Sequence, residues 1–320
     1  MRIRELKQLL ALTTKLTAGQ RDLLMAELRR GLALDQSTAI VQAKMAQAPI
    51  CPKCHTRHVV RNGQAGGLQR YKCRDCGVTF NCLTGTPLAR LRHRDKWLQQ
   101  ARAMDEGLSV RKAAARLTVH RTTAFRWRHR FLALPCEIKA THLAGVAEAD
   151  ETYVLRSYKG QRRKLLNEQA RNPRHRGGKA AKRGLSAEQV PILVLRNRAG
   201  ETTDSILQVA NKRTVADVLR QTLADDAVLC TDAGGMLVQA ASDLGIEHHT
   251  VNASHGERTR GAWHIQNVNA YHSRFKEWMR RFKGVATSYL PNYLGWFRAL
   301  DRNAQSGATP ASLLALAVGN

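Results

Sequence analysis

Two pairs of closely spaced cysteines restrict most strongly how this chain can fold. Cys51 and Cys54 form one C-x-x-C pair, and Cys73 and Cys76 form the second, 18 residues further on. Two such pairs present four thiolates from paired turns, which is the ligand set of tetrahedral structural Zn²⁺ sites. Strand-like segments flank the second pair, as in a β-ribbon. The sequence therefore predicts a structural zinc in a ribbon over residues 49–84, with no open position for catalysis.

The charge of the chain indicates a polyanionic partner. Its 320 residues include 52 Lys and Arg against 25 Asp and Glu, a formal net charge of +27, and such an excess opposes folding through self-repulsion. The sequence has no apolar stretch of about 18 residues, so a membrane-spanning helix is excluded. The cysteine count is odd, seven, which favours a reducing compartment over disulfides. We expect a cytosolic protein that acts on nucleic acid, with no membrane partner.

A basic helix pair follows the ribbon, over residues 93–136. Ser109 is well placed as the N-cap of one helix, and a short turn leads into a second helix that begins near Arg121. Apolar residues of the second helix recur at spacings of 3 and 4 and predict a buried stripe: Ala124, Trp127, Phe131 and Leu134. Basic residues off this stripe fit a recognition helix in the major groove of DNA: Arg121, Arg126, Arg128 and Arg130.

Beyond residue 142, apolar runs alternate with helical stretches, as in a mixed sheet flanked by helices. The expected order of elements is a strand at 146–155, a basic insertion at 156–183, two strands within 190–209, a helix, a strand at 227–232, a helix, a strand at 246–252 and a helix at 262–282.

The basic insertion holds eleven Lys or Arg residues and one acid. It cannot bury a core of its own, so we expect a mobile loop that contacts phosphates, with a solvated loop as the alternative. Its candidate DNA-binding side chains are Arg162, Arg163, Lys164, Lys179, Lys182 and Arg183.

Acidic residues fall on two of the predicted strands. Strand alternation places Glu148, Asp150 and Thr152 on one face and Glu151 on the other. Asp232 ends a second, apolar strand before a Gly-rich turn. Open α/β sheets bind ligands at such carboxyl ends, and Mg²⁺ takes a few carboxylates while leaving room for substrate phosphates. The two aspartates therefore predict Mg²⁺-dependent phosphoryl transfer.

The order of these parts resembles insertion-sequence transposases of the DDE superfamily (ISXO type), which carry a zinc ribbon before an RNase H-like domain. Local matches lie between roughly residues 50 and 300 and include ADETYV, CTDAGG, VNASHGE, the RGGKAAKRG run and WHIQNVNAYHSRFKEWMRRFKG. The resemblance implies a bacterial, nucleoid-associated DNA transposase that binds terminal inverted repeats. It further implies strand cleavage and strand transfer with Mg²⁺ or Mn²⁺ by a homodimer or higher oligomer on double-stranded DNA.

In this resemblance the family's two catalytic aspartates fall on Asp150 and Asp232. The position of the third acid falls on Asn269, and a downstream lysine falls on Lys276, as in the Asp-Asp-Asn-Lys branch of the family. The carbonyl oxygen of Asn269 would complete the Mg²⁺ ligands. Lys276 lies about two helical turns further on and on the same face, where it would contact the scissile or flanking phosphate.

The missing third carboxylate leaves alternatives open. Glu257, in the loop before the last predicted helix, could supply it. Glu277 is disfavoured because it points about 100° away from Lys276 on the same helix. His255 and His264 flank the site as candidate phosphate ligands.

Two other classes of protein fit parts of the sequence. A non-enzymatic DNA-binding regulator would keep the ribbon and the helix-turn-helix beside a decayed nuclease domain, and Asn269 favours it. An RNA-processing nuclease of the same fold is disfavoured, because a helix does not fit the narrow major groove of A-form RNA. The predicted multidomain α+β chain comprises a helical segment at 1–48, the zinc ribbon at 49–84, the helix-turn-helix at 93–136, an RNase H-like domain with a mixed sheet at 142–300, and a C-terminal tail or helix at 301–320.

Overall fold

The chain forms two compact units in a computed structural model. The first unit comprises residues 1–134 and 308–320, and the second comprises residues 135–307. Within the described part of the chain, no helix is long and apolar enough to cross a membrane. The structure describes residues 2–161, 178–182, 184–252, 256–306 and 309–319.

Two helices open the first unit, α1 (Ile3–Leu12) and α2 (Ala18–Gln47). Thr17 caps α2, since its hydroxyl accepts a hydrogen bond from the N–H of Gln20. The Gln20 side chain in turn accepts one from the N–H of Thr17 at 2.9 Å. This reciprocal pair satisfies two of the amides that a helix leaves free at its start.

The ribbon is a three-stranded antiparallel sheet of β1 (Val59–Ala65), β2 (Leu68–Cys73) and β3 (Thr79–Asn81). The rings of Tyr71 and Phe80 stack inside it with centroids 5.8 Å apart. The second half of α2 packs on the ribbon, where the Gln42 side chain accepts a hydrogen bond from the N–H of Gln69 at 2.8 Å. Such a small sheet has little apolar core, so it depends on its metal-binding turns.

Three short helices complete the N-terminal part of the first unit: α3 (Trp97–Asp105), α4 (Val110–Leu117) and α5 (Arg121–Phe131). Ser109 caps α4 by accepting a hydrogen bond from the N–H of Lys112, as predicted. The Lys96 ammonium donates to the carbonyl of Leu117 at 2.8 Å, which satisfies one of the last carbonyls of α4.

The second unit is built on a five-stranded mixed sheet in the order β6-β5-β4-β7-β8. β5 is antiparallel to both of its neighbours, whereas β4, β7 and β8 run parallel. The strands are β4 (Val146–Leu155), β5 (Gln189–Asn197), β6 (Thr202–Ile206), β7 (Val228–Asp232) and β8 (His248–Val251). Along the chain, the five strands follow one another in the predicted order.

Helices cover both faces of this sheet. Ala147 and Ala149 point to one face and pack with Leu219 and Leu237 in an apolar cluster. The opposite face of β4 carries Glu148 and packs against the helix formed by Gln266–Arg280. The helices are α6 (Lys212–Thr222), α7 (Gly235–Leu244), α8 (Gln266–Arg280) and α9 (Leu290–Ser306).

Helix α9 is fixed to the sheet by buried ion pairs. Arg298 pairs with Asp204 of β6, and both side chains are buried. Asp301 accepts from Arg196 of β5 at 2.8 Å. Charges buried in this way are stable only when paired, so these contacts define the position of α9.

The last helix, α10 (Pro310–Ala317), belongs to the first unit. It packs against α3, α2 and α5, and it buries Leu313, Leu314 and Ala317. The Lys44 ammonium of α2 donates to the carbonyl of Gly319 at 2.5 Å. The first unit is therefore assembled from both ends of the chain.

Candidate functional site

The four cysteines of the ribbon form one cluster. Cys51 Sγ lies 3.6 Å from Cys76 Sγ, and Cys54 Sγ lies 3.5 Å from Cys73 Sγ. All four sulfurs lie within 4.8 Å of one another. Zn–S bonds of about 2.3 Å in a tetrahedron place sulfurs about 3.8 Å apart. The predicted four-cysteine cluster is confirmed, and its geometry fits a structural zinc.

The helices α4 and α5 form the predicted helix-turn-helix. Thr118 adopts a left-handed conformation, φ 49°, and turns the chain sharply after α4. The ring of His120 then caps α5 by accepting a hydrogen bond from the N–H of Thr122. Arg121 and Arg126 are exposed, which leaves them available to a phosphate or a base edge.

Two placements predicted for α5 are wrong. Arg128 is 1% exposed rather than on the basic face, and it donates to the carbonyl of Leu108 at 2.6 Å. Leu134 does not extend the buried stripe, because α5 ends at Phe131. Arg130 is exposed, but its guanidinium donates to the carbonyls of the segment before α3. Arg128 is therefore a buried structural residue and cannot reach DNA.

The two predicted aspartates lie next to each other on parallel strands. Ala149 of β4 pairs with Thr231 of β7, and each is followed by an aspartate, so Asp150 and Asp232 point to the same face of the sheet. Asp150 Oδ1 accepts from the N–H of Glu151 at 2.8 Å. Asp232 Oδ1 accepts a hydrogen bond from the N–H of Gly234 at 3.0 Å. These hydrogen bonds fix the direction of both carboxylates.

Negative charge is concentrated at this point. Burial raises the pKa of Asp232, and the charge of Asp150 raises it further. The pKa of Glu151 rises to about 7, first through burial and then through the charges of Asp150 and Asp232. A raised carboxylate pKa means that burial, and after it the neighbouring negative charge, disfavours the ionised form. A cation between the two aspartates would relieve that repulsion.

Helix α8 contacts Asp150 through His272, a residue that was not among the predicted site residues. Its Nδ1 lies 3.4 Å from Oδ2 of Asp150, and its ring is buried. Asn269 and Lys276 lie within about 60° of His272 around the helix axis, and both are exposed. Asn269 and Lys276 therefore lie on the same side of α8 as the residue that contacts Asp150. The sequence did hold a signal for His272, because it lies three residues after Asn269 and four before Lys276, on one side of a helix.

Glu148, on β4, was placed correctly by strand alternation but was given no role. Its carboxylate is fully buried and accepts from the N–H of Val268 at 2.9 Å and from Nδ2 of Asn267 at 2.8 Å. Arg198 Nε and His264 Nδ1 each lie 3.3 Å from it. These contacts tie the first turn of α8 to the strand that carries Asp150, and they give His264 a structural partner.

The alternative carboxylates are engaged by arginines. Glu257 accepts from Arg260 at 2.9 Å, and this hydrogen bond lowers its pKa. Glu277 pairs with Arg280 at 2.6 Å on the exposed side of α8. Both groups thus already have a cationic partner. His255 lies outside the described residues.

The basic insertion connects the antiparallel strands β4 and β5. Lys179 and Lys182 are exposed, and the end of the insertion is tied to β5 because the N–H of Ala181 donates to Glu188 at 2.7 Å. Four further candidates lie outside the described residues: Arg162, Arg163, Lys164 and Arg183.

The donor set at the strand ends fits Mg²⁺. Asp150 and Asp232 offer hard, anionic oxygens, and Asn269 on α8 offers a neutral one. Burial and the charge of Asp150 raise the pKa of Asp232, and a divalent cation at this point would offset that charge. The residues present therefore suit the ion.

The strand order and the paired aspartates define an RNase H-like domain. Residues 142–298 match the family of ISXO2-like transposase domains, residues 45–77 match the InsA N-terminal domain, a zinc ribbon, and residues 90–134 match the homeodomain-like helix-turn-helix family. The chain thus belongs to the zinc-ribbon insertion-sequence transposases of the DDE superfamily, and it is a DNA transposase.

Two individual proteins are similar to this chain. An uncharacterized protein in the transposable element ISH50 of Halobacterium salinarum is 27% identical over 263 residues, which cover 81% of this chain and 87% of that protein. A chain in the crystal structure of a pre-cleavage Mos1 transpososome matches with a TM-score of 0.27 and 9% identity, over 70% of this chain and 78% of its own length. The matches to known families favour the transposase over the non-enzymatic regulator.

Gly234→Ala should reduce strand cleavage at least tenfold while leaving the protein folded. A Cβ at Gly234 would lie 2.8 Å from Oδ1 of Asp232, so the carboxylate must turn away, and misplacement by about 1 Å can cost roughly 100-fold in rate. Gly235→Ala is the matched control, because a Cβ there meets nothing within 4 Å. Equal cleavage by the two variants, with equal melting temperatures, would contradict this role of Gly234.

Proposed function

We propose that this transposase cleaves DNA at the ends of its element and joins the freed 3′-hydroxyl to target DNA. The proposal is supported by Asp150 and Asp232, which follow paired residues of adjacent parallel strands, and by the contact of Asp150 with His272 of α8. The same helix bears Asn269 and the exposed Lys276. Two carboxylates that can bind a metal ion, together with the exposed ammonium of Lys276, suit an in-line displacement at phosphorus.

Each of these residues has one part in the proposed reaction. Asp150 and Asp232 hold Mg²⁺ or Mn²⁺, and the carbonyl oxygen of Asn269 completes the protein ligands. The bound ion stabilises charge on the entering and leaving oxygens. Lys276 contacts the scissile or a flanking phosphate, and His272 and Glu148 hold α8 in place against β4.

Binding of DNA is divided among the other parts. We assign recognition of the terminal inverted repeats to the zinc ribbon and to α5, with Arg121 and Arg126 as candidate contacts. The basic insertion, including Lys179 and Lys182, holds the DNA backbone. Because the reaction joins two ends, two or more copies act together, in the bacterial cytoplasm where the chromosome lies.

A cleavage assay with the ends of the element tests this function. The full-length protein is incubated with a labelled fragment that carries one end and its flank, with and without Mg²⁺. We expect a nick at the element boundary and joined products, both only when the ion is present. Specific end binding without any cleavage in Mg²⁺ or Mn²⁺ would overturn the proposal and support the regulator.

Affinity for DNA should fall steeply with salt, because each neutralised phosphate adds about 0.9 to the slope of log K against log salt. Deleting residues 159–183 should flatten that slope. Replacing two exposed arginines of α6, Arg213→Ala and Arg220→Ala, is the control. An unchanged slope in the deletion variant would mean that the basic insertion is only a solvated loop.

Lys276→Ala and Asn269→Glu test how α8 contributes. We expect Lys276→Ala to lose cleavage, because the phosphate contact is removed. Asn269→Glu should also lose activity, because a carboxylate two turns from Lys276 pairs with the ammonium and withdraws it from phosphate. Full activity of Asn269→Glu would instead show an ordinary three-acid site in which Asn is a weak third ligand.

A further inference from the structure

The first half of α2 presents a long surface that nothing in its own unit covers. Every residue from 18 to 32 is exposed, whereas Ser37 and Val41 further along the helix are buried. The second half of α2 packs on the ribbon, and the first half projects from it. Fifteen exposed residues span about 22 Å of helix.

A stripe of leucines runs along this projecting half. Leu24, Leu28 and Leu32 recur every fourth residue and are 39%, 61% and 60% exposed. Ser37 and Val41 lie about 180° and 140° around the axis from Leu28, so the stripe points away from the ribbon. Contiguous exposed apolar surface of this kind marks a site of protein association.

The charge of this segment excludes DNA as its partner. Residues 18–35 contain three basic and three acidic residues, in a chain whose formal net charge is +27. A neutral, apolar face gains nothing from a polyanion. Elsewhere, two copies of so basic a chain repel each other, so this is where a second copy can approach closely.

We propose that residues 21–35 of α2 form an antiparallel, two-fold interface with a second copy of this chain. A two-fold axis beside Leu28 places residues opposite each other when their numbers sum to 56. Leu28 then meets the second copy's Leu28, and Leu24 meets Leu32. Such a self-complementary patch is the mark of a two-fold dimer.

The charges around the stripe match this pairing. Arg21 and Asp35 both lie within about 20° of Leu28 around the axis, and Arg21 lies opposite the second copy's Asp35 at both ends of the interface. Parallel pairing would instead set Arg21 against Arg21 and Asp35 against Asp35. Opposite charges at the ends of an apolar seam select the orientation of paired helices.

Exposed apolar side chains of the N-terminal segment extend beyond the stripe. The seam alone covers about two heptads, which is short. The adjacent α1 adds further exposed apolar side chains within the same N-terminal segment. Together they approach the 20–30 residues a side that a specific interface of about 800 Å² per partner uses. The added apolar residues are Ile3, Leu6, Leu9, Leu10 and Leu12.

Sedimentation of the full-length, zinc-loaded protein without DNA tests the interface. The proposal rests on the proposed function only in that joining two ends requires two copies, and leaving DNA out separates the two questions. We expect a wild-type dimer and a monomer for Leu28→Asp, at micromolar protein. Leu23→Asp is the matched control, since Leu23 is 73% exposed and lies about 140° from Leu28; it should remain a dimer.

Charge exchange tests the orientation. Arg21→Asp and Asp35→Arg should each weaken association at least about tenfold, because like charges then meet twice. An equal mixture of the two variants, or both changes in one chain, should restore the dimer. Circular dichroism and zinc content show that each variant is folded. A monomeric wild type, dimers for both Leu28→Asp and Leu23→Asp, or no restoration by either charge combination would overturn the proposal.

Discussion

Strand cleavage should fall by at least about a thousandfold when Asp150 or Asp232 is replaced by Asn, with binding to the element ends unchanged. Each substitution removes an anionic ligand at the point where the phosphoryl transition state needs compensating charge, and loss of one such group typically costs 10²–10³ or more in rate. Labelled end fragments measure cleavage, and gel shifts measure binding. Asp243→Asn is the control, because Asp243 forms an exposed ion pair with Lys212 on the surface of the second unit.

The same variants have a signature that does not depend on activity. Since Asp150 raises the pKa of Asp232, removing either charge relieves repulsion at neutral pH. The metal-free variants should melt a few degrees above the metal-free wild type. Added Mg²⁺ should raise the melting temperature of the wild type and not that of the variants. Equal cleavage by the wild type and the double variant would rule out this active site and promote the regulator.

Cys54→Ser should cost the chain its zinc and unfold the ribbon, while the second unit stays folded. Metal affinity supplies the folding free energy of such small sites, about 10–16 kcal/mol in isolated zinc-finger peptides, and the ribbon has little other core. We expect proteolytic cleavage within residues 51–80 and loss of end binding. Metal analysis, limited proteolysis and gel shifts measure these effects.

Cys82→Ser provides the control for the zinc experiment. Cys82 is buried just after β3 and does not belong to the cluster of four sulfurs. This variant should keep its zinc and its resistance to protease. A folded, DNA-binding Cys54→Ser protein without metal would show that the ribbon does not depend on zinc.

Most strands and helices were predictable because each leaves a local pattern; α9 (Leu290–Ser306) was not predicted and runs across the expected boundary at residue 300. The cysteine spacing marks the ribbon, and the apolar run that ends in Asp232 marks β7. Alternation along β4 put Glu148 and Asp150 on one face, which the structure reproduces. Parallel register then explains why two aspartates with 81 residues between them in sequence become neighbours.

Contacts between distant segments leave no such pattern. Glu148 acts on the first turn of α8, 120 residues later, and only the tertiary structure shows that its charge is satisfied there. The prediction that Arg128 lies on the basic face of α5 was wrong for a related reason. It lies about 40° from Ala124 around α5, inside the buried stripe, and it is tolerated there because the carbonyl of Leu108 accepts from its guanidinium. The prediction for Arg128 relied on its charge alone and placed it on the wrong side of α5.

Because α10 completes the packing of α3 and α5, the DNA-reading unit depends on the order in which the chain is made. About 180 residues separate the end of α5 from the start of α10, and synthesis at 5–20 residues per second takes roughly 10–40 s to cover them. For that interval the helix-turn-helix lacks one of its supporting helices. If the helix-turn-helix binds the element ends as proposed, a chain broken off before α10 should bind them more weakly than the finished chain.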